Sequence, residues 1–146
     1  MLKILIINGP NLNLLGKRDK SHYGEKSLED IESEIKKAFK DYKFEFLQSN
    51  HEGEIIDAIQ NAPAYFDGII INPGGYSHTS VAIRDALTEC KIPKIEVHLS
   101  NLSGREEFRN TMITAPACNG YISGFKEHGY FAAVYLMTLE KTKLSG

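Results

Sequence analysis

Two short runs of contiguous aliphatic residues constrain the fold of this chain more than any other feature. Residues 4–7 read Ile-Leu-Ile-Ile and residues 69–71 read Ile-Ile-Ile, and each run leads into an asparagine with glycine and proline beside it. Apolar runs without alternating polar residues are typical of strands that are buried on both faces of a parallel sheet. We therefore predict strands at 1–7 and 69–71, as neighbours whose following loops open on the same edge of the sheet.

The segment GIIINPGGYSHTS at residues 68–80 combines turn-forming and hydrogen-bonding residues. Pro73 lacks a backbone donor, and Gly74 and Gly75 permit conformations that are closed to other residues. Polar side chains are supplied by Asn72, Ser77, His78 and Thr79. Because open α/β sheets bind ligands outside the carboxyl ends of their strands, we expect the chemistry to be centred here. Taken alone, the loop is equally consistent with an ordinary strand-to-helix turn in which Ser80 is the N-cap.

The rest of the hydrophobic pattern predicts helices that alternate with strands. Helices are predicted from Ser27 onward, over about 54–61, from the Ser80 cap to about Glu89 and over 129–143, with further strands at 43–48, 92–97 and 121–123. This βαβαβαβ(β)α order is typical of a doubly wound α/β fold with right-handed crossovers. The predicted fold class of residues 1–146 is a single flavodoxin-like domain with a five-stranded parallel sheet of order 2-1-3-4-5. The polar loop 11–24 is too long for a routine connection and is interpreted as a lid.

Composition argues against several classes of function. The chain has 146 residues, 42% hydrophobic and 25% charged, which are ordinary values for one globular domain. Its formal net charge is −2 and no basic stripe with interleaved aromatic residues occurs, so nucleic-acid binding is not expected. We expect a cytoplasmic protein, because no apolar run is long enough to cross a bilayer and no targeting pattern is visible. Cys90 and Cys118 lie outside any C-x-x-C pattern and are expected to be free thiols.

Reactive side chains follow three of the predicted strands. They are Arg18 and Tyr23 after the first strand, Asn72 and His78 after the third, and Glu96, His98 and Ser100 around the fourth. Glu96 and His98 are two residues apart and point to the same side of an extended chain, where a carboxylate can hold one imidazole nitrogen and favour the protonated ring. His98 is thus a candidate proton donor. The alternative is a surface contact between the two side chains with no catalytic task.

Tyr23 is a less obvious candidate for chemistry. A phenol with a pKa of about 10 is a poor base at neutral pH unless a cation lies close to it, and Arg18 could be that cation. Arg105 and Arg109 are predicted to share one face of a helical turn and to approach the same edge. Taken singly, a tyrosine or arginine in a loop is more often part of the solvated surface.

Other catalytic motifs are missing. The chain contains no G-x-x-x-x-G-K-[ST] phosphate loop, no G-x-G-x-x-G after a strand, no H-E-x-x-H and no G-x-S-x-G. Nucleotide-binding, zinc-peptidase and serine-hydrolase functions therefore have no support, and no metal site is predicted. A non-catalytic flavodoxin-like module that binds FMN or a small polar metabolite remains as an alternative.

Several motifs together resemble type II 3-dehydroquinate dehydratase. They are NGPNLNLLGKR at 8–18, Tyr23-Gly24, INPGGYSHTS at 71–80, EVHLSN at 96–101 and REEFR at 105–109, in that order along the chain. The resemblance implies a flavodoxin-like fold and a homododecamer built as a tetramer of trimers. It also implies reversible, cofactor-free anti elimination of water from 3-dehydroquinate to 3-dehydroshikimate through an enolate. Such a reaction belongs to the shikimate pathway of aromatic amino-acid biosynthesis or to quinate breakdown.

The resemblance also implies a role for individual residues. The base would be Tyr23, its activating cation Arg18, the general acid His98 and the orienting carboxylate Glu96. Asn11 would steady the enolate through water, and Arg105 would be a second cation near the tyrosine. Asp85 would be a contact from a neighbouring subunit. The remaining substrate contacts would be Asn72, His78, Leu99, Ser100 and Arg109.

Two stretches depart from the family pattern. The family usually has an acidic residue followed by proline between the arginine and the tyrosine, whereas this chain has Asp-Lys-Ser-His at 19–22. We expect this change to affect the lid and not the chemistry. After Arg109 the usual His-Ser pair is replaced by Asn110-Thr111, which leaves the packing there open.

Overall fold

The protein is a five-stranded parallel sheet covered by helices on both faces. The structure is a computed structural model that describes the backbone of residues 1–145 and the side chains of residues 1–139. The strands are β1 (Lys3–Asn8), β2 (Lys43–Gln48), β3 (Gly68–Asn72), β4 (Lys94–His98) and β5 (Gly120–Ser123). Their order in the sheet is β2-β1-β3-β4-β5. The predicted fold class and strand order are confirmed.

The two aliphatic runs lie side by side in the middle of the sheet. In β1, Ile4 and Ile6 pack into a core layer on one face, whereas Leu5 and Ile7 pack into a second layer on the other face. Successive residues of a strand point to opposite faces, so a strand covered on both sides needs apolar residues at every position. This double coverage explains why the sequence shows unbroken runs.

Residues 1–145 contain five α-helices, of which the last four form the two covering layers. The five are α1 (Lys20–Tyr23), α2 (Leu28–Ala38), α3 (Glu52–Asn61), α4 (Val81–Glu89) and α5 (His128–Ser145). Residues of α2 and α5 contribute to the first core layer, and residues of α3 and α4 to the second. As predicted, Ser27 and Ser80 cap α2 and α4 by accepting backbone N–H groups. The strand β4 begins at Lys94, two residues later than predicted. Pro93 has no backbone N–H and so cannot extend the hydrogen bonding of the strand.

The register of the strands brings the two asparagines together. Asn8 of β1 pairs with Asn72 of β3 at the carboxyl end of the sheet. The backbone N–H of Gly9 donates to the carbonyl oxygen of Asn72 at 2.7 Å, and an added Cβ at Gly9 would lie 2.5 Å from the carbonyl oxygen of Pro73. A side chain at this position would separate the two loops. Glycine therefore permits the close approach that places both loops on one edge of the sheet.

Two segments have more secondary structure than the sequence suggested. The loop 11–24 contains a 3-10 turn at Leu12–Leu14 and the helix α1, which Asp19 caps by accepting the N–H of Ser21 at 2.9 Å. Residues 101–119 contain 3-10 turns at Leu102–Gly104, Glu107–Asn110 and Ala115–Ala117. The prediction that Arg105 and Arg109 share one helical turn is wrong. Arg105 is extended, with φ −110° and ψ −163°, and only Arg109 lies in a turn.

Candidate active site

A cavity opens at the carboxyl end of the sheet, where polar side chains from several chain segments converge. Nine of the twelve site residues predicted from the sequence line it: Asn11, Arg18, Tyr23, Asn72, His98, Leu99, Ser100, Arg105 and Arg109. Asn72 and His98 are the last residues of β3 and β4, while Tyr23 is the last residue of α1. The sheet thus supplies one part of the cavity wall, and the loops after β1, β3 and β4 supply the rest.

Three predicted residues do not line this cavity. Glu96 is fully buried and contacts His98 from behind. The His78 ring lies 6.2 Å from the His98 ring, measured between centroids. Asp85 is exposed on α4.

Tyr23 is held by two arginines. Nη2 of Arg18 donates to the phenol oxygen at 2.7 Å, and Nη1 of Arg105 donates to the same oxygen at 2.5 Å. The guanidinium carbon of Arg18 also lies 3.7 Å from the centre of the Tyr23 ring, which is a cation–π distance. Arg105 further donates to the hydroxyl of Ser100 at 3.2 Å. Both guanidinium groups are permanently charged donors, and both point an N–H group at the same phenol oxygen. We call these residues, Arg18, Tyr23 and Arg105, the tyrosine cluster.

His98 is held by a buried carboxylate. Its Nε2 lies 2.6 Å from Oε2 of Glu96, which leaves Nδ1 as the ring nitrogen available to the cavity. Each oxygen of this carboxylate also accepts a hydrogen bond from a hydroxyl: Ser77 donates to Oε2 at 2.7 Å and Thr114 donates to Oε1 at 2.5 Å. The oxygens of a buried carboxylate need such donors in place of water. We call these residues, Ser77, Glu96, His98 and Thr114, the histidine cluster.

His78 presents a free acceptor beside the histidine cluster. Its Nδ1 lies 2.9 Å from the carbonyl oxygen of Thr111, so Nδ1 carries the ring proton. Its Nε2 is buried and has no hydrogen-bond partner within the described structure. Burial lowers the pKa of His78, and the positive charge of Arg109 acts in the same direction. The ring is therefore neutral at pH 7. Thr111 takes part in this contact only through its backbone carbonyl. The replacement of the usual His-Ser pair by Asn110-Thr111 therefore does not prevent the contact.

Comparisons with known proteins decide the family. The family described as dehydroquinase class II matches residues 2–138 of this chain. Two relatives, both called 3-dehydroquinate dehydratase, come from Caldicellulosiruptor bescii and Clostridium perfringens. The first is 54% identical over 142 residues, which cover 94% of this chain and 97% of the relative. The second is 56% identical over 138 residues, which cover 91% and 93%.

The chain belongs to the class II dehydroquinase family. Solved structures of two type II dehydroquinases agree with this. The structure from Butyrivibrio crossotus matches with a TM-score of 0.91 and 50% identity, and the one from Propionibacterium acnes with 0.88 and 34% identity. Each match covers 94% of this chain and 97% of the other. The family and the enzyme class predicted for this class II dehydroquinase are confirmed, and the alternative of a non-catalytic module loses its support.

Sequence reasoning missed two side chains that surround Glu96 in this class II dehydroquinase. Ser77 appeared only as one polar group of the 68–80 loop, and Thr114 lies in the 101–119 segment, which had no readable pattern. Both are fully buried, and they approach the carboxylate from 19 and 18 residues away along the chain. The one signal that could have found them is chemical. A glutamate inside a buried strand requires donors, but the sequence does not say which hydroxyls provide them.

Two further observations concern the described part of this class II dehydroquinase. Within it, no group of three or more His, Cys, Asp or Glu side chains is arranged to hold a metal ion. No described helix is both long and apolar enough to cross a membrane.

Proposed function

We propose that the tyrosine and histidine clusters carry out the removal of water from 3-dehydroquinate, giving 3-dehydroshikimate without a metal or an organic cofactor. The observation that carries this proposal is the position of Tyr23. Two guanidinium groups donate to its phenol oxygen at 2.7 and 2.5 Å, and His98 lines the same cavity. A cation-stabilised phenolate and an imidazole bound to a carboxylate form a base and acid pair suited to such an elimination.

Tyr23 would perform the first step. Its phenolate removes a proton from the carbon beside the substrate ketone, and the electron pair of that C–H bond becomes an enolate. Arg18 and Arg105 stabilise the phenolate before the transfer. Asn11 would steady the enolate through a water molecule, since it lines the cavity. Its left-handed backbone, with φ 70°, is held by the side-chain oxygen of Asn50, which accepts the N–H of Asn11 at 3.1 Å.

His98 would perform the second step. The enolate re-forms the ketone, and its electron pair makes a new double bond between the α- and β-carbons as the bond to the β-hydroxyl breaks. The departing hydroxyl takes the proton on Nδ1 of His98 and leaves as water. Glu96 holds Nε2 of the same ring and stabilises the imidazolium that must exist before this transfer. Ser77 and Thr114 keep the carboxylate in place. Tyr23 then releases its proton, and His98 regains one from solvent.

Substrate binding would fall on side chains near the two clusters. 3-Dehydroquinate carries hydroxyl groups and a carboxylate, which match amide, imidazole, hydroxyl and guanidinium groups. The proposed contacts are Asn72, His78, Leu99, Ser100 and Arg109. His78 supports this assignment through its free buried Nε2, which can accept a hydrogen bond from a substrate hydroxyl.

We extend the proposal to the assembly and to the lid. Asp85 is exposed on α4, so it would complete the site of a neighbouring subunit within a homododecamer of four trimers. Residues 11–24 would act as a lid. Gly16 and Gly24 support this role because their positive φ angles of 93° and 80° lie where other residues are strained. A cytoplasmic location is part of the same proposal, supported by two free cysteines. Sedimentation tests the assembly, since a fully active monomer would remove the role of Asp85.

The direct test of activity is to add 3-dehydroquinate and to follow the ultraviolet absorbance of the conjugated enone product. We expect product formation that survives a metal chelator and borohydride, because the proposed mechanism uses neither a metal nor an imine. Inactivation by borohydride in the presence of substrate would show a Schiff base and would contradict the proposed chemistry. Tyr23→Phe is the matched control, since it keeps the ring and removes only the oxygen that acts as base.

A further inference from the structure

Tyr130 is a buried phenol outside both clusters that reaches the edge of the sheet next to the cavity. It lies on α5, is fully buried and packs in the core layer that contains Ile4, Ile6 and Ile70. A buried tyrosine hydroxyl requires hydrogen-bond partners. Its partners here are Asn8 and Asn72, which end β1 and β3 and lie 122 and 58 residues away along the chain. The hydroxyl thus connects the last helix to the loop-bearing ends of the two central strands.

The contacts around Asn72 fix the orientation of its side-chain amide. Oδ1 of Asn72 accepts the backbone N–H of Gly74 at 3.1 Å, and Nδ2 donates to the Tyr130 hydroxyl at 3.2 Å. The backbone N–H of Gly74 can only donate, so the amide oxygen of Asn72 must face Gly74 and the amide nitrogen must face Tyr130. An amide nitrogen carries two N–H groups. One is used by Tyr130, and the second is the donor that Asn72 can offer to the cavity it lines.

The Tyr130 hydroxyl can serve this purpose because it stays protonated. Burial raises its pKa above the usual value for tyrosine. The hydroxyl therefore has one proton to donate, and it donates that proton to Oδ1 of Asn8 at 2.5 Å. With its proton committed to Asn8, the Tyr130 oxygen faces Asn72 only as an acceptor. This chain of donors and acceptors permits one orientation of the Asn72 amide.

We propose that Tyr130 is a positioning residue of the active site, which acts through Asn72 by fixing the amide N–H that meets a substrate oxygen. The inference rests on the proposed role of Asn72 as a substrate contact, and it does not depend on the roles of Tyr23 or His98. An Asn72 contact that is formed equally with the bound substrate and with the transition state affects KM and leaves kcat unchanged. Loss of the Tyr130 hydroxyl would leave the amide held by the Gly74 N–H alone and would weaken that contact.

A purely structural role for Tyr130 makes a different prediction. If the ring only fills the core, Tyr130→Phe should keep the ring, lower the thermal stability and leave KM as it was. If the hydroxyl positions Asn72, KM should rise by roughly 3- to 10-fold, the range expected for one net hydrogen bond. Turnover should stay within about twofold of the wild type, since the loss is one of uniform binding.

The test is a set of variants assayed through the enone product: Tyr130→Phe, Asn72→Ala and the double variant. We expect Tyr130→Phe and Asn72→Ala each to raise KM, and the double variant to match Asn72→Ala, because Tyr130 has nothing to position once the amide is gone. Tyr135→Phe is the control on the same helix, since Tyr135 is exposed, and it should match the wild type. A wild-type KM in Tyr130→Phe, or effects that multiply in the double variant, would overturn the inference.

The remaining outcomes separate this inference from the proposed function. A wild-type KM in Asn72→Ala would show that Asn72 is not a substrate contact, which overturns both that assignment and the role of Tyr130. A raised KM in Asn72→Ala with an unchanged KM in Tyr130→Phe would leave the substrate contact intact and overturn only the inference. If Tyr130→Phe fails to fold, Asn8→Ala decides, because it frees the Tyr130 hydroxyl from its acceptor. We expect a smaller rise in KM for Asn8→Ala, and an unchanged KM would contradict the inference.

Discussion

The tyrosine cluster and the histidine cluster adjoin the same cavity but are built in opposite ways. Arg18, Tyr23 and Arg105 all lie outside the sheet and are half-buried. Glu96 and His98 lie on the buried strand β4, and the carboxylate has no exposed surface. In the proposed mechanism the first cluster would stabilise an anion with permanent cations, and the second would stabilise a cation with a buried anion. The proposed base thus comes from loops and the proposed acid from the sheet, so the two can be arranged independently of each other.

The difference in burial has an energetic consequence. The Arg105 side chain is only 11% exposed, but Arg18 is partly exposed. Interactions of partly exposed charges are weakened by water and salt, so Arg18 should add little to the free energy of unfolding. The hydroxyls of the histidine cluster satisfy a carboxylate that water cannot reach. Removing the Thr114 hydroxyl leaves Oε1 of Glu96 unpaired, at a cost of about 1–3 kcal/mol. Substitution of Arg18 should therefore affect activity alone, whereas substitution of Thr114 should affect both activity and stability.

The largest effect is expected in the tyrosine cluster. Tyr23→Phe and Arg18→Ala should each lower turnover by orders of magnitude, because the first removes the base and the second removes a cation that stabilises the phenolate. The double variant should be little worse than either single variant, as expected for residues that act as a unit. Steady-state kinetics and circular dichroism check this, with Lys17→Ala as the control for an exposed cation on the same loop. Losses that multiply in the double variant would contradict the shared role.

The second prediction concerns the acid. His98→Ala should lower turnover by roughly 10²- to 10⁴-fold, the usual contribution of a general acid, while substrate binding persists. Single-turnover kinetics combined with calorimetric binding separates the two quantities. If turnover in His98→Ala stayed close to that of the wild type, the donor would have to be sought elsewhere. His78 would be the first residue to test.

The third prediction uses stability to distinguish the clusters. Thr114→Val keeps the shape of the side chain and removes the hydroxyl that donates to Oε1 of Glu96. We expect a loss of about 1–3 kcal/mol in the free energy of unfolding, whereas Arg18→Ala should stay within about 0.5 kcal/mol of the wild type. Urea denaturation measures both, and Thr111→Val is the control with an exposed threonine in the same segment. Equal stability losses in Thr114→Val and Arg18→Ala would show that burial does not separate the clusters.

The smallest effect concerns the pH dependence of stability. Burial holds the pKa of His78 below its usual value in the folded protein. The unfolded chain therefore binds a proton more readily, and stability present above about pH 6.5 is lost as the pH falls through the lower folded pKa. His78→Asn should make the stability less dependent on pH between 7 and 5, by less than the loss in Thr114→Val. The exposed His128 provides the control His128→Asn, and equal pH dependence in all three proteins would contradict this account.

Much of this architecture follows from local sequence patterns. The runs at 4–7 and 69–71 predicted two central strands, and their register places Asn8 beside Asn72 as expected. The resemblance to the family identified residues that converge on one cavity, although each of them is ambiguous when taken singly. Arg105 was misplaced because four-residue spacing suggested a helical turn, whereas the chain there is extended between two 3-10 turns.

The parts that could not be predicted depend on contacts across the fold. Thr114 reaches Glu96 from 18 residues away, and Tyr130 reaches Asn8 from 122 residues away. Neither contact has a periodic or local signature, because both arise from the way helices and turns pack onto the ends of strands. Single hydroxyl donors look the same in a sequence whether they are solvated or buried. Only the packed structure shows which of them support the site.

The most direct test of the account follows deuterium from solvent into 3-dehydroquinate. If Tyr23 removes the proton beside the ketone, deuterium should enter that carbon with the wild-type enzyme and fail to enter it with Tyr23→Phe. With His98→Ala the exchange should continue, because the enolate forms before the hydroxyl leaves. Mass spectrometry of recovered substrate measures all three. Undiminished exchange in Tyr23→Phe would rule the tyrosine out as the base and would contradict the division of labour between the two clusters.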